Sequence, residues 1–136
     1  MKKYKICELG DVISGGTPNT GNNNYWNGDI PWITPKDLSS YNSVFIAHGE
    51  RYITKDGLNN SSAKLLPKGS VLLTSRAPIG YLAIASNELC TNQGFKSIIC
   101  KPEIINYRYL YYLLSTKIKE LIATALKSFA SNLMAE

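Results

Sequence analysis

The 136-residue sequence predicts an α+β fold, a β-rich body of short strands followed by one long C-terminal helix. Two observations carry this. Up to residue 101 the apolar residues come in short runs rich in Val, Ile, Tyr and Phe, separated by Gly, Pro, Asn and Asp breakers, which is strand and turn chemistry. After Pro102 the apolar residues recur at three- and four-residue steps, which is helical spacing.

Residues 10–27, "GDVISGGTPNTGNNNYWN", are dense in Gly, Asn, Thr and Ser and predict an ordered or partner-ordered loop. Strands are expected at 30–34 (IPWIT), 43–47 (SVFIA), 51–54 (RYIT), 70–75 (SVLLTS), 79–86 (IGYLAIAS) and 95–101 (FKSIICK). Their irregular spacing and long connections fit neither an up-and-down barrel nor a fixed-period repeat. The helix, about 104–133, places Tyr107, Leu110, Leu114, Ile118, Leu121, Ala125 and Phe129 on one stripe. Arg108, Lys117, Lys119, Glu120 and Lys127 form the solvated face opposite. No linker interrupts this order, so residues 1–136 read as one domain, with a body of about 1–101.

Fifteen basic residues against ten acidic ones give a formal charge of +5, compatible with a polyanionic partner such as nucleic acid. Cys7, Cys90 and Cys100 cannot all pair and lack C-x-x-C spacing, so they read as buried thiols in a reducing compartment, the cytoplasm. The N-terminal "MKKYKICELG" has no apolar stretch suited to export, and no window approaches a membrane span.

No catalytic constellation in the sequence is complete. His48 is the one histidine and has no second ligand at metal spacing, so it reads as a surface loop residue. "SSAK", Ser61 to Lys64, has S-x-x-K spacing without the partner motifs of serine acyl-enzymes and reads as a loop. "SGGTP" lacks the remainder of either phosphate-cradling glycine motif. The acidic residues stand singly, with no carboxylate pair for acid–base or two-metal chemistry. The sequence therefore predicts a binding protein with no catalytic residues, no metal site and no cofactor.

Polar groups at strand ends define the candidate binding face: Thr34, Lys36 and Asp37 in "PWITPKDL", Ser75 and Arg76 in "LLTSRAPIG", and Thr91, Asn92 and Gln93 in "LCTNQGF". Arg, Lys, Asn and Gln carry donors that match base edges and phosphate oxygens. Each has a plainer alternative: a Lys36–Asp37 surface ion pair, an Arg76 brace on a turn carbonyl, and simple turn residues at 92–94. Trp26 and Trp32 read as buried anchors in preference to stacking platforms, with Tyr25 and Tyr81 as lesser candidates for backbone contacts.

The segments "LGDVISGGTP", "YWNGDIPWITPKDL", "GLNNSSAKLLPKGSVLLTSRAPIGYLAIA" and "LCTNQGFKSI", in this order, closely resemble a target recognition domain of type I restriction-modification specificity subunits. The likeness runs from Leu9 to about Leu126. It implies an irregular β-helix-like body with a helical appendage. It also implies a non-catalytic module that reads one half of a bipartite site in double-stranded DNA and directs methylation and restriction by modification and restriction subunits, in defence against foreign DNA. S-adenosylmethionine would then bind the modification subunit. The loops 14–18, 34–37, 74–76 and 91–94 are expected to converge. Their residues Thr17, Thr34, Lys36, Asp37, Ser75, Arg76, Asn92 and Gln93, with Tyr81, are the expected DNA-binding set. Arg76 or Lys36 would donate to guanine edges or phosphates, and Asn92 and Gln93 to adenine edges.

The chain departs from the family pattern in having one recognition domain and no spacer helices, and in ending "ATALKSFASNLMAE" where the family continues with a last strand. This reads as a truncated or half-subunit form with an unpaired sheet edge that invites a homodimer. The alternative function is an interaction module whose helix, 105–133, docks on the modification subunit or on a second copy.

Overall fold

The computed structural model describes residues 6–76 and 80–120, with side chains from Glu8 onward. In chain order the elements are α1 (Ile6–Leu9), β1 (Gly10–Ser14), a 3-10 turn (Asn23–Tyr25), β2 (Trp26–Ile33), α2 (Pro35–Ser39), β3 (Phe45–Ile46), β4 (Arg51–Ile53), α3 (Lys55–Asn59), β5 (Val71–Leu73), β6 (Leu82–Ala85), β7 (Cys90–Thr91) and β8 (Lys96–Cys100). A helix over 107–120, here α4, follows. The expected mixed fold, short strands in an unclosed body and then a C-terminal helix, is the one seen.

The strands form two small sheets, ordered β1-β8-β5-β6-β3 and β4-β2-β7. All six expected strand regions contain a strand, most of them shorter than expected, whereas β2 begins earlier, at Trp26. The expectation of a loop over 10–27 needs correction at both ends. Gly10–Ser14 is a strand that pairs antiparallel with β8 from Gly10↔Cys100 to Ser14↔Lys96. Pairing with a strand more than eighty residues away, supported by Val12 and Ile13, overrides the local turn propensity of Gly and Ser.

Two short helices were not expected, and both announce themselves by caps. Thr34 caps α2 by accepting from the Asp37 backbone N–H, while the Asp37 carboxylate accepts from the Thr34 N–H, with Pro35 in the first turn. Thr54 caps α3 in the same way, accepting from Gly57. β7 was missed because a two-residue strand carries no periodicity.

The largest core cluster packs Ile33, Leu38, Ile46, Leu66, Leu72, Leu89 and Phe95 between the sheets. A second cluster seats α4 through Leu110 and Leu114 against Leu9, Val71 and Ile98. That is the stripe read from the sequence: Leu110 and Leu114 are buried, and Tyr107 and Ile118 half-buried. Arg108, Lys117, Lys119 and Glu120 face solvent as expected, with Lys117 and Glu120 paired at 3.8 Å. Leu121, Ala125, Phe129 and Lys127, and the expected helix end near 133, lie outside the described residues. Burial of the Leu110 side chain contributes about 1.5–3 kcal/mol to holding α4 on the body.

Cys90 is buried, and Cys100 only half-buried because it lies at the end of β8. The Cys7 side chain lies outside the described set. His48 is exposed, its Nδ1 3.0 Å from the Gly49 carbonyl. Among the described residues no helix is long and apolar enough to cross a membrane, and no group of His, Cys, Asp and Glu could hold a metal ion.

Candidate functional site

Two buried indoles order the glycine-rich segment after β1. Trp26 and Trp32 pack edge to face, with centroids 4.9 Å apart at 85°. Their N–H groups donate outward, Trp26 to the Asn19 carbonyl and Trp32 to the Gly16 carbonyl, both at 3.0 Å. The Arg51 guanidinium lies 3.8 Å over the Trp26 ring and closes the other side. Both tryptophans are thus the anchors expected. The Gly16 N–H in turn donates to the Thr91 carbonyl at 3.0 Å, joining this segment to the loop after β7.

That loop is fixed from several directions. The Asn92 N–H donates to the Ile33 carbonyl at 3.0 Å, and the Asn92 side-chain oxygen accepts from the Gly94 N–H at 2.8 Å. The Gly94 carbonyl accepts from the Ser75 N–H at 2.8 Å and from the Ser75 hydroxyl at 3.3 Å, which draws the β5–β6 hairpin onto it. Buried Thr74 holds the neck of that hairpin: its N–H donates to the Tyr81 carbonyl at 3.0 Å, and its Oγ1 accepts from the Tyr81 N–H at 2.8 Å.

The result is a cleft of about 360 Å³ lined by Thr34, Pro35, Lys36, Arg76, Asn92, Gln93 and Gly94. Thr17 reaches its rim, where its hydroxyl donates to the Gln93 side-chain oxygen. The segments at 14–18, 34–37, 74–76 and 91–94 therefore meet, although almost eighty residues separate the first from the last.

Lys36, Arg76 and Gln93 are exposed. Among the described residues neither basic side chain is engaged in an ion pair, so the cleft carries two uncompensated cations. The alternative Lys36–Asp37 pair does not form, because Asp37 turns inward to cap α2 and to accept from the Glu50 N–H at 3.3 Å. Asp37 and Ser75 thus act as supports of the cleft, through the α2 cap and the Gly94 carbonyl. Tyr81 is separate from it: its exposed ring borders a groove formed with Tyr41, Val44, Tyr111 and Ile118. Tyr25 is half-buried beside the Trp26 cluster.

The sequence reading missed Pro35 and Gly94 as cleft walls, which lie so close that a Cβ on Gly94 would stand 2.9 Å from Pro35 Cγ. The T-P-K-D cap was the available signal for Pro35; nothing local marks the contact between them.

Comparison with known proteins agrees with this architecture. The sequence matches the type I restriction modification DNA specificity domain over residues 1–134. The chain belongs to that family. It is 55% identical over 113 residues, 83% of its length, to the type I restriction enzyme MjaIX specificity subunit of Methanocaldococcus jannaschii. It is 30% identical over 131 residues, 93% of its length, to the EcoR124I/EcoR124II specificity subunit of Escherichia coli. Its fold superposes on the crystal structure of the HsdS subunit from Thermoanaerobacter tengcongensis with a TM-score of 0.67 and 21% identity, covering 86% of this chain and 27% of that one. The chain spans 26% and 31% of the lengths of the two specificity subunits. The four sequence segments that carried the resemblance to this specificity-domain family are the ones that build the cleft.

Proposed function

We propose that residues 1–136 form one recognition module and that the cleft between α2, the β5–β6 hairpin and the loop after β7 is its DNA-reading face. The observation that carries this is the meeting of four loops around Lys36 and Arg76, two cations with no ion pair among the described residues, and two side-chain amides, Asn92 and Gln93. Cations supply sequence-independent attraction to phosphates, and amide and guanidinium groups read base edges. A good bidentate base contact contributes about 1–3 kcal/mol of discrimination. Membership of a DNA specificity family supports this reading over the alternative of a helix that serves only as a docking element.

The module does no chemistry itself in this reading. It works in the cytoplasm beside a modification subunit that binds S-adenosylmethionine and a restriction subunit, which methylate or cut at the site it selects.

Titration of the protein against duplex DNA at several salt concentrations tests the proposal. The logarithm of the affinity should fall linearly with the logarithm of salt concentration. Arg76→Ala and Lys36→Ala should each weaken binding. Absence of salt-dependent binding, both by the chain alone and with the modification subunit, would refute the reading.

A further inference from the structure

Resting on the reading of the cleft as a DNA-reading face, we infer that it selects guanine, because the side chains lining it present hydrogen-bond donors and turn their acceptors toward partners within the chain. The Asn92 oxygen accepts from the Gly94 N–H at 2.8 Å. A backbone amide can only donate, so this contact fixes which end of the Asn92 amide is inward and leaves its NH2 group for a ligand. The Gln93 oxygen accepts from the Thr17 hydroxyl, an arrangement that turns the Gln93 NH2 group toward a ligand. The Thr34 hydroxyl donates to Asp37 Oδ2 at 3.1 Å and accepts from the Asp37 N–H, so it is spent within the α2 cap. Lys36 and Arg76 have donors alone.

Guanine is the base whose major-groove edge offers two acceptors, N7 and O6, and no donor. Adenine pairs an acceptor with a donor, and an amide reads both only if its oxygen and its NH2 group face the base together; at Asn92 and Gln93 the oxygen is turned to Gly94 and to Thr17. Cytosine offers a donor, which would oppose the donors of the cleft. Thr17 is accordingly a positioning residue: it touches no base, and it sets what Gln93 can read. On this inference Asn92 and Gln93 face guanine, where residue type alone suggested adenine. Phosphate oxygens are also acceptors, but two neutral amides clamped by contacts within the chain suit a fixed base edge better than a mobile backbone.

The test selects bound duplexes from a random-sequence pool with the full chain, then replaces guanine at the enriched positions by 7-deazaguanine, which lacks the N7 acceptor and leaves every phosphate in place. Enrichment of guanine and roughly tenfold weaker binding of the substituted duplex are expected. Thr17→Val, shown to be folded by circular dichroism, should relax the preference so that adenine is accepted at one guanine position. Gln93→Glu, at an exposed site, should abolish the guanine preference there. Enrichment of adenine with no effect of 7-deazaguanine, or equal binding to all sequences as phosphate contact would give, overturns the inference while leaving the DNA-binding reading intact. Absence of any salt-sensitive duplex binding overturns both.

Discussion

Replacing Gly15 by Ala tests whether close backbone approach holds the cleft together. An added Cβ would lie 2.1 Å from the Asn92 carbonyl oxygen, 2.2 Å from Thr91 Oγ1 and 2.4 Å from the Thr91 carbonyl oxygen. Ordinary contact begins near 3.4 Å, so the two segments must separate by about 1.3 Å. Two of the three atoms are backbone and cannot rotate away. Overpacking of this kind costs about 1–3 kcal/mol. Separation also strains the neighbouring bond from the Gly16 N–H to the Thr91 carbonyl, adding about 1 kcal/mol. For a chain of this size the sum corresponds to a fall in Tm on the order of 10 °C. Gly21→Ala is the control, since its nearest neighbour is the Asn19 side-chain oxygen at 3.3 Å, which can shift by a few tenths of an ångström. Thermal melts followed by circular dichroism should separate the two variants clearly. If Gly15→Ala melts with the wild-type chain, the close packing of residues 14–18 on the loop after β7 is wrong, and the cleft loses one wall.

Leu110→Ala should destabilise the protein by about 2–5 kcal/mol, because Leu110 is fully buried between α4 and the body, whereas Tyr109→Ala, on the exposed face, should stay within about 0.5 kcal/mol. Urea unfolding midpoints check both; equal midpoints would show that α4 does not pack on the body through this residue. Burial pushes the Cys90 thiol up to about 12. Native protein at pH 8 should therefore leave Cys90 unmodified by a thiol reagent that labels it in denaturant. Between pH 9 and about 12 the unfolded chain gives up this proton while the folded chain keeps it, so stability should fall as pH rises. Cys90→Ala should flatten that slope in pH-dependent melts.

What was legible in the sequence follows from the range of the interactions. The helix stripe of Leu110 and Leu114 and the positions of the strands are set by periodicity within a few residues, and they were readable. β1 was hidden because its strand character depends on β8, and β7 because two residues leave no pattern. The short helices α2 and α3 were written locally, as Thr34 and Thr54 caps, yet five-residue helices lack the apolar period by which helices are usually found. At the cleft the residue types were readable, but not their hydrogen-bonding state. That the side-chain oxygens of Asn92 and Gln93 are engaged within the chain depends on Gly94 and Thr17, and the Thr17 contact crosses 76 positions of sequence.

The same separation of roles bears on how such a module can change its target. Lys36, Arg76 and Gln93 are exposed, and none of them belongs to a core cluster. Exchanges at positions of that kind usually alter stability by no more than about 0.5 kcal/mol. The frame is held instead by buried groups outside the cleft lining: Trp32 through the Gly16 carbonyl, Thr74 through the Tyr81 N–H, and Phe95 in the core. In the proposed reading, energy for folding and chemistry for recognition would reside largely in different residues. Thr17 and Asn92 would be the exceptions, because the inferred donor pattern depends on their internal hydrogen bonds. Changes of specificity should therefore be tolerated most readily at 36, 76 and 93, whereas a change at Thr17 alters what Gln93 reads without adding any new contact to the base.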